Sequence, residues 1–330
     1  MANNYCTNCG AWLPLANQDT GIPKYCPKCG REINPMSVGQ SVTGDTFLGM
    51  QVPPNIQRKP FPTIGQGILL LIGLIAVVFM LFIFVGILQV ITGVNFIKSA
   101  IVENLITLVA SGIVLLIGFK LTKEPFLDIF PLKRFDIKII FPLMVLIAGS
   151  TVLLSDIDNL FRSFFPTPDW VIHAYEDINS DPFKAIIIVV IIAPFTEEFF
   201  CRGLLLQGFL KNYSVNKAVI ASALLFMFMH LNPWQFAGAF FYGLIFAWVV
   251  IKTKSLWPAL IGHATANFIP TFIVGILGWQ IPGFSDAYTS DIVMQPWWFD
   301  LTGLILLIVG FFWLRRLLTS EQENTIVHIR

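Results

Sequence analysis

The chain has 330 residues, 55% of them hydrophobic and only 12% charged, with a mean hydropathy of +0.73. Soluble domains carry about 25% charged residues, so a soluble globular protein is excluded and an all-α polytopic membrane protein is expected. A formal net charge of +1 gives no argument for a nucleic-acid partner. No secretory signal is expected, because the first apolar run opens near Ile64, behind a polar, cysteine-containing segment. The 31 phenylalanines and 9 tryptophans suit lipid contact and interfacial anchoring. No internal repeat and no low-complexity tract is evident.

The chain opens with two Cys-x-x-Cys-Gly knuckles, Cys6-Thr7-Asn8-Cys9-Gly10 and Cys26-Pro27-Lys28-Cys29-Gly30. Four thiolates on two tight turns can close a tetrahedral zinc site, each glycine permitting the turn behind the second sulfur. A pair of disulfides is the alternative. Zinc is preferred because the paired spacing is specific and an export signal is not expected. Residues 1–34 thus resemble a zinc ribbon, a structural site in a segment too small for an apolar core of its own. Lys24, Lys28 and Arg31 are too few to argue nucleic-acid binding, and docking to a protein partner is the plainer expectation. Residues 35–62, with Pro35, Pro53, Pro54, Pro60 and Pro62, read as a linker.

Eight spans are expected, near 64–92, 99–121, 137–160, 184–209, 217–231, 235–252, 256–276 and 298–318, before a polar tail at 321–330. The fifth and sixth are short and separated only by Leu231-Asn232-Pro233-Trp234, as in a tight hairpin. With the amino terminus inside, Arg58, Lys59, Lys120, Lys123, Lys133, Arg134, Lys138, Lys211, Lys217, Lys252, Lys254, Arg315 and Arg316 all face the cytoplasm. Lys98, Arg162 and Lys184 are left outside, with Asp169, Glu176, Asp177, Asp181, Asp286 and Asp291. That is the positive-inside pattern, with both termini cytoplasmic.

The fourth span carries Thr196-Glu197-Glu198-Phe199-Phe200-Cys201-Arg202-Gly203. One charge at a helix centre costs about 2.5–3.5 kcal/mol on insertion scales. Glu198 and Arg202 are four apart and can pair on one helix face. Glu197 lies about 100° round the helix and has no local partner. Two of the four histidines also lie in apolar spans: His230 ends the fifth, and His263 sits in the seventh, four residues before Asn267. At about 1.5 Å per residue, Glu197 and His230 lie roughly 18–20 Å deep, His263 roughly 12 Å and Asn267 roughly 18 Å. Three helices bring polar groups to a shared level. A single histidine or asparagine is often interhelical glue; four such groups together argue for one site. Thr265 and Cys201 read as packing residues, and Asp156, Asp158 and Asn159 as outer-interface groups.

Glu-Glu-x-x-x-Arg at Glu197, Glu198 and Arg202, Phe-x-x-x-His at Phe226 and His230, and His-x-x-x-Asn at His263 and Asn267 occur in that order. In this the chain resembles the CPBP intramembrane proteases, the family of CAAX prenyl endopeptidases and bacterial Abi-type proteins. The resemblance covers about residues 137–276 of an expected transmembrane domain at 63–320. It implies an endopeptidase acting on a membrane-associated or hydrophobic peptide or protein. Glu197 would be the general base on a water held with His230, while His263 and Asn267 stabilise the oxyanion. Glu198, Arg202 and Phe226 would support them. Two histidines and a glutamate are also a plausible zinc set, so a catalytic metal stays open beside the preferred metal-free water. A ribbon fused to such a core looks prokaryotic, pointing to a prokaryotic cytoplasmic membrane. The alternative is a non-catalytic scaffold, an immunity-type protein or a proton-coupled transporter, since intramembrane Glu, His and Arg also build proton relays.

Overall fold

A membrane span must satisfy its own backbone, and apolar runs of about 20 residues do so as helices. The computed structural model describes residues 59–94, 100–173, 181–285 and 292–327. The four cysteines of the expected ribbon and nearly all of the linker lie outside the described residues.

Among the described residues eight helical segments of 15 residues or more follow one another. Helices α1 (Ile64–Thr92), α2 (Ala100–Thr122) and α3 (Ile140–Phe164) come first. Helix α4 covers 182–212 and changes register along its length, with π-helical stretches at Ile186–Ile192 and Phe199–Leu205. Then come α5 (Val215–Met229), α6 (Phe236–Thr253), α7 (Trp257–Pro270, continued by a π stretch at Thr271–Ile276) and α8 (Trp297–Val327). Among the described residues the only β pairing is an isolated bridge between Leu132 and Ser255.

Six of the eight, α1, α2, α3, α6, α7 and α8, are long and apolar enough to cross a membrane. The other two differ from simple spans. Helix α4 carries Glu197, Glu198 and Arg202 at its middle. Helix α5 has 15 residues, about 22 Å of rise against a hydrocarbon core of about 30 Å. The turn after it is built by polar groups: Asn232 accepts the N–H of Trp234 and starts a 3-10 turn at Pro233–Gln235. Leu231 adopts a positive φ of 51° there. The fifth and sixth segments therefore do form the expected hairpin, but its first arm stops at His230.

Side-chain ties gather the helix ends. Thr63 and Gln66 close a capping box at the start of α1. Asn212, at the end of α4, donates to Pro60 O at 2.7 Å, and Lys211 pairs with Glu124 at 2.9 Å. Ser255 donates to Lys133 O at 2.7 Å. The start of α1, the end of α2, the end of α4 and the α6–α7 turn thus share one end of the bundle, where most of the basic loops lie. Helices α3 and α8 form the closest seam. A Cβ at Gly149 would collide with the backbone of α8, and one at Gly310 with the backbone of α3. At the centre, Cys201, Arg202, Leu204, Leu205, Leu206 and Phe209 of α4 are wholly buried. The helix with charged residues at its middle is thus buried through its second half.

Candidate active site

Glu198 and Arg202 pair as their spacing predicts, at 3.0 Å between Oε1 and Nη1, with both side chains fully buried. Burying a pair is favourable only when the remaining polar atoms are also met. The Arg202 guanidinium lies 4.1 Å from the ring centroid of Phe226 and 5.3 Å from that of Phe246. Those ring faces stabilise a cation that has few other partners. Glu198 has a second partner that sequence reasoning did not find. The same Oε1 accepts a hydrogen bond from His263 Nδ1 at 2.8 Å. Glu198 therefore orients one of the two site histidines. No local signal could have shown it, because 65 residues separate the two.

Glu197 points the other way and meets both histidines. Its Oε2 lies 3.9 Å from His230 Nε2 and 3.8 Å from His263 Nε2, at side-chain exposures of 23%, 20% and 7%. Among the described residues that oxygen has no hydrogen-bond partner. The other ring nitrogens define the tautomers. His230 Nδ1 lies 2.9 Å from Phe226 O, and a carbonyl only accepts, so Nδ1 carries the proton. His263 Nδ1 likewise donates to the Glu198 carboxylate. In neutral His230 the Nε2 lone pair then faces the Glu197 carboxylate. Two acceptors 3.9 Å apart attract something with two hydrogens to give. A water that donates one to each would leave its own lone pairs turned outward.

Aromatic rings hold this arrangement. Phe226 stands edge-on to His230 at 4.9 Å and to His263 at 5.6 Å, and Phe246 stacks on His263 at 5.4 Å. Phe226 thus touches both histidines and the guanidinium. Asn267 lies on α7 one turn beyond His263, and its Nδ2 donates to Val189 O of α4 at 2.8 Å. Thr265 bonds back to Ile261 O, and Cys201 is a buried free thiol; both behave as packing residues. The structure therefore brings Glu197, His230 and His263 together and ties Asn267 to the helix that bears Glu197.

The same three side chains bear on a metal. Ligands of a tetrahedral zinc at about 2.0–2.1 Å stand roughly 3.3–3.4 Å apart. The 3.8 and 3.9 Å separations here are wider. Among the described residues, no group of three or more His, Cys, Asp or Glu is arranged to hold a metal ion.

The fold and the site define a class: an all-α polytopic membrane protein with a carboxylate and two imidazoles converging in its interior. Residues 179–269 match the family model described as Rce1-like, type II CAAX prenyl endopeptidase. Over that segment the chain is similar to this CAAX-type protease family. The match spans α4 to α7, and so every one of the site residues named above, and leaves out α1, α2, α3 and α8. No curated protein matches the chain. A membrane protease family implies a lipid environment and a membrane-associated substrate.

Proposed function

We propose that the protein is an intramembrane endopeptidase that hydrolyses a peptide bond of a membrane-associated or hydrophobic substrate, with Glu197 as its general base. The observation that carries this reading is the unpartnered Glu197 Oε2 facing two imidazole Nε2 atoms. A water held between Glu197 and His230 loses a proton to Glu197 as its oxygen adds to the scissile carbonyl. The family resemblance assigns stabilisation of the resulting oxyanion to His263, whose orientation is set by Glu198 and Phe246. The family resemblance assigns Asn267 to the oxyanion as well; one hydrogen of its amide is engaged at Val189 O. Collapse of the intermediate breaks the C–N bond, and the Glu197 proton passes to the leaving amine. Every proton is accounted for without a metal. The experiment compares membrane proteomes of cells making wild-type protein or Glu197→Gln. A peptide cut only in the former supports the reading, and identical peptide patterns sink it.

Three further points belong to the same reading. The membrane is a prokaryotic cytoplasmic membrane, as the fusion of a ribbon to such a core suggests, with both chain termini inside, a placement supported by the lysine and arginine asymmetry. A reporter fused after Arg330 should be cytoplasmic and one near Ser285 external. Cys6, Cys9, Cys26 and Cys29 hold one structural zinc in a ribbon that docks a protein partner. Metal analysis should find that zinc, and its loss when Cys6 and Cys26 are replaced by Ser.

A further inference from the structure

Helix α4 contains a gap in its own hydrogen bonding, and the gap is made by sequence. Through Ile186–Ile192 its N–H groups reach five residues back, and Ala193 N–H bonds Ile188 O. The next bond in that register would run from residue 194 to Val189 O. Residue 194 is proline, which has no N–H. Val189 O would be left without its helical donor inside a membrane, where water cannot replace it. The donor comes instead from another helix: Asn267 Nδ2, at 2.8 Å.

We propose that Asn267 is a positioning residue whose amide stands in for the N–H that Pro194 lacks. It thereby sets the rotation of α4 that aims Glu197. The placement supports this at both ends. Pro194 is buried and lies one turn before Glu197; Asn267 lies one turn after His263. Helices α4 and α7 are thus cross-linked twice, by Asn267 to Val189 O and by His263 to Glu198 Oε1, both at 2.8 Å. Two bonds, a helical turn apart on α7 and more than two turns apart on α4, resist both sliding and rotation. The first of them exists because a proline leaves a carbonyl unmatched. The second π stretch is treated similarly. Leu206 N–H bonds Cys201 O and Gly203 O, and Arg202 O between them takes the Gln207 side chain at 3.1 Å. There the side-chain donor is local and residue 207 keeps its own N–H; at Val189 the donor comes from the helix that carries His263.

The effect on catalysis rests on the proposed peptidase reading, but the structural arm does not. The test is a double-variant cycle in the full-length protein, purified in detergent, with Pro194→Ala, Asn267→Ala and both together. Thermal stability and hydrogen exchange over 186–198 are measured in every variant. So are kcat and KM on the peptide that separates wild type from Glu197→Gln. Asn267→Ala should lower the melting temperature, speed exchange at this turn and reduce kcat about tenfold or more, with little change in KM. Adding Pro194→Ala supplies a backbone donor for Val189 O and should restore the melting temperature and exchange and recover part of kcat, the rest being the oxyanion role that the family resemblance gives Asn267. Should Asn267→Ala fail to fold, folding of the double variant is the expected rescue, and its failure overturns the proposal. Recovered stability and exchange with no recovery of kcat also overturns it, since the rotation of α4 would then not bear on turnover. So does an Asn267→Ala protein with unchanged stability and exchange. Wild-type cleavage by Glu197→Gln would end the peptidase reading alone, and the stability and exchange arms would still decide the role of Asn267.

Discussion

Two buried polar clusters in this protein use similar residues in opposite ways. At the end of α3 away from the basic loops, Asn159 Nδ2 donates to Gly283 O at 2.7 Å, and Arg162 donates to Thr167 Oγ1 and Asn159 Oδ1. Gln295 gives its backbone N–H to Asp156 and its side-chain amide to Val152 O. Each of these donors meets an acceptor, although Gln295 Oε1 and Asp158 Oδ1 find no donor among the described residues, and the result ties the chain at Gly283 and Gln295 to α3. Around Glu197 the pattern is inverted. A carboxylate oxygen and the lone pair of His230 face each other 3.9 Å apart, with the donor nitrogens of both histidines turned away. Matched donors and acceptors make a lock. Acceptors gathered round a gap make a place for a proton donor to react.

That contrast can be broken most sharply at Glu197. Glu197→Gln keeps size but removes the proton acceptor, so cleavage should fall by about 10²–10⁴-fold while the melting temperature barely moves. His230→Ala should do comparable damage by releasing the water. A well-folded, fully active Glu197→Gln would erase the difference between the clusters. Arg202→Ala comes next and acts on folding, because it leaves Glu198 as an uncompensated buried charge at a cost of about 3–5 kcal/mol. Its expected signature is a low yield of folded protein, read by size-exclusion chromatography in detergent. In the outer cluster, Asn159→Ala should cost about 1–3 kcal/mol through Gly283 O and Arg162, lowering the melting temperature. Cleavage per folded molecule should stay at the wild-type rate; a loss of turnover without a loss of stability would show that this cluster is no mere lock. The smallest effect is expected from Phe226→Leu. It keeps bulk but removes the ring beneath Arg202 and between the histidines, for about 0.5–2 kcal/mol. Cleavage should drop modestly with KM nearly unchanged.

Much of this was legible along the chain because it is local. Composition and apolar run length identify membrane helices, since each satisfies its own backbone within about 20 residues. The Glu198–Arg202 pair follows from a spacing of four on a helix. The estimated depths of Glu197 and His230 pointed to one site, and the two residues do meet. Other features were decided by tertiary structure. The fifth apolar run reads as a short span to residue 231 before a tight turn, and the helix ends at Met229 where Asn232 and Pro233 build that turn. Glu198 reads as a partner for Arg202 alone, yet it also holds His263 from 65 residues away. Asn267 reads as a donor for the reaction, yet it meets Val189 O across 78 residues. The proline that leaves this carbonyl open is plain in the sequence, but the π register that makes the gap is not. That register arises only when neighbouring helices supply the hydrogen bonds a lone helix would lose, so packing had to decide it.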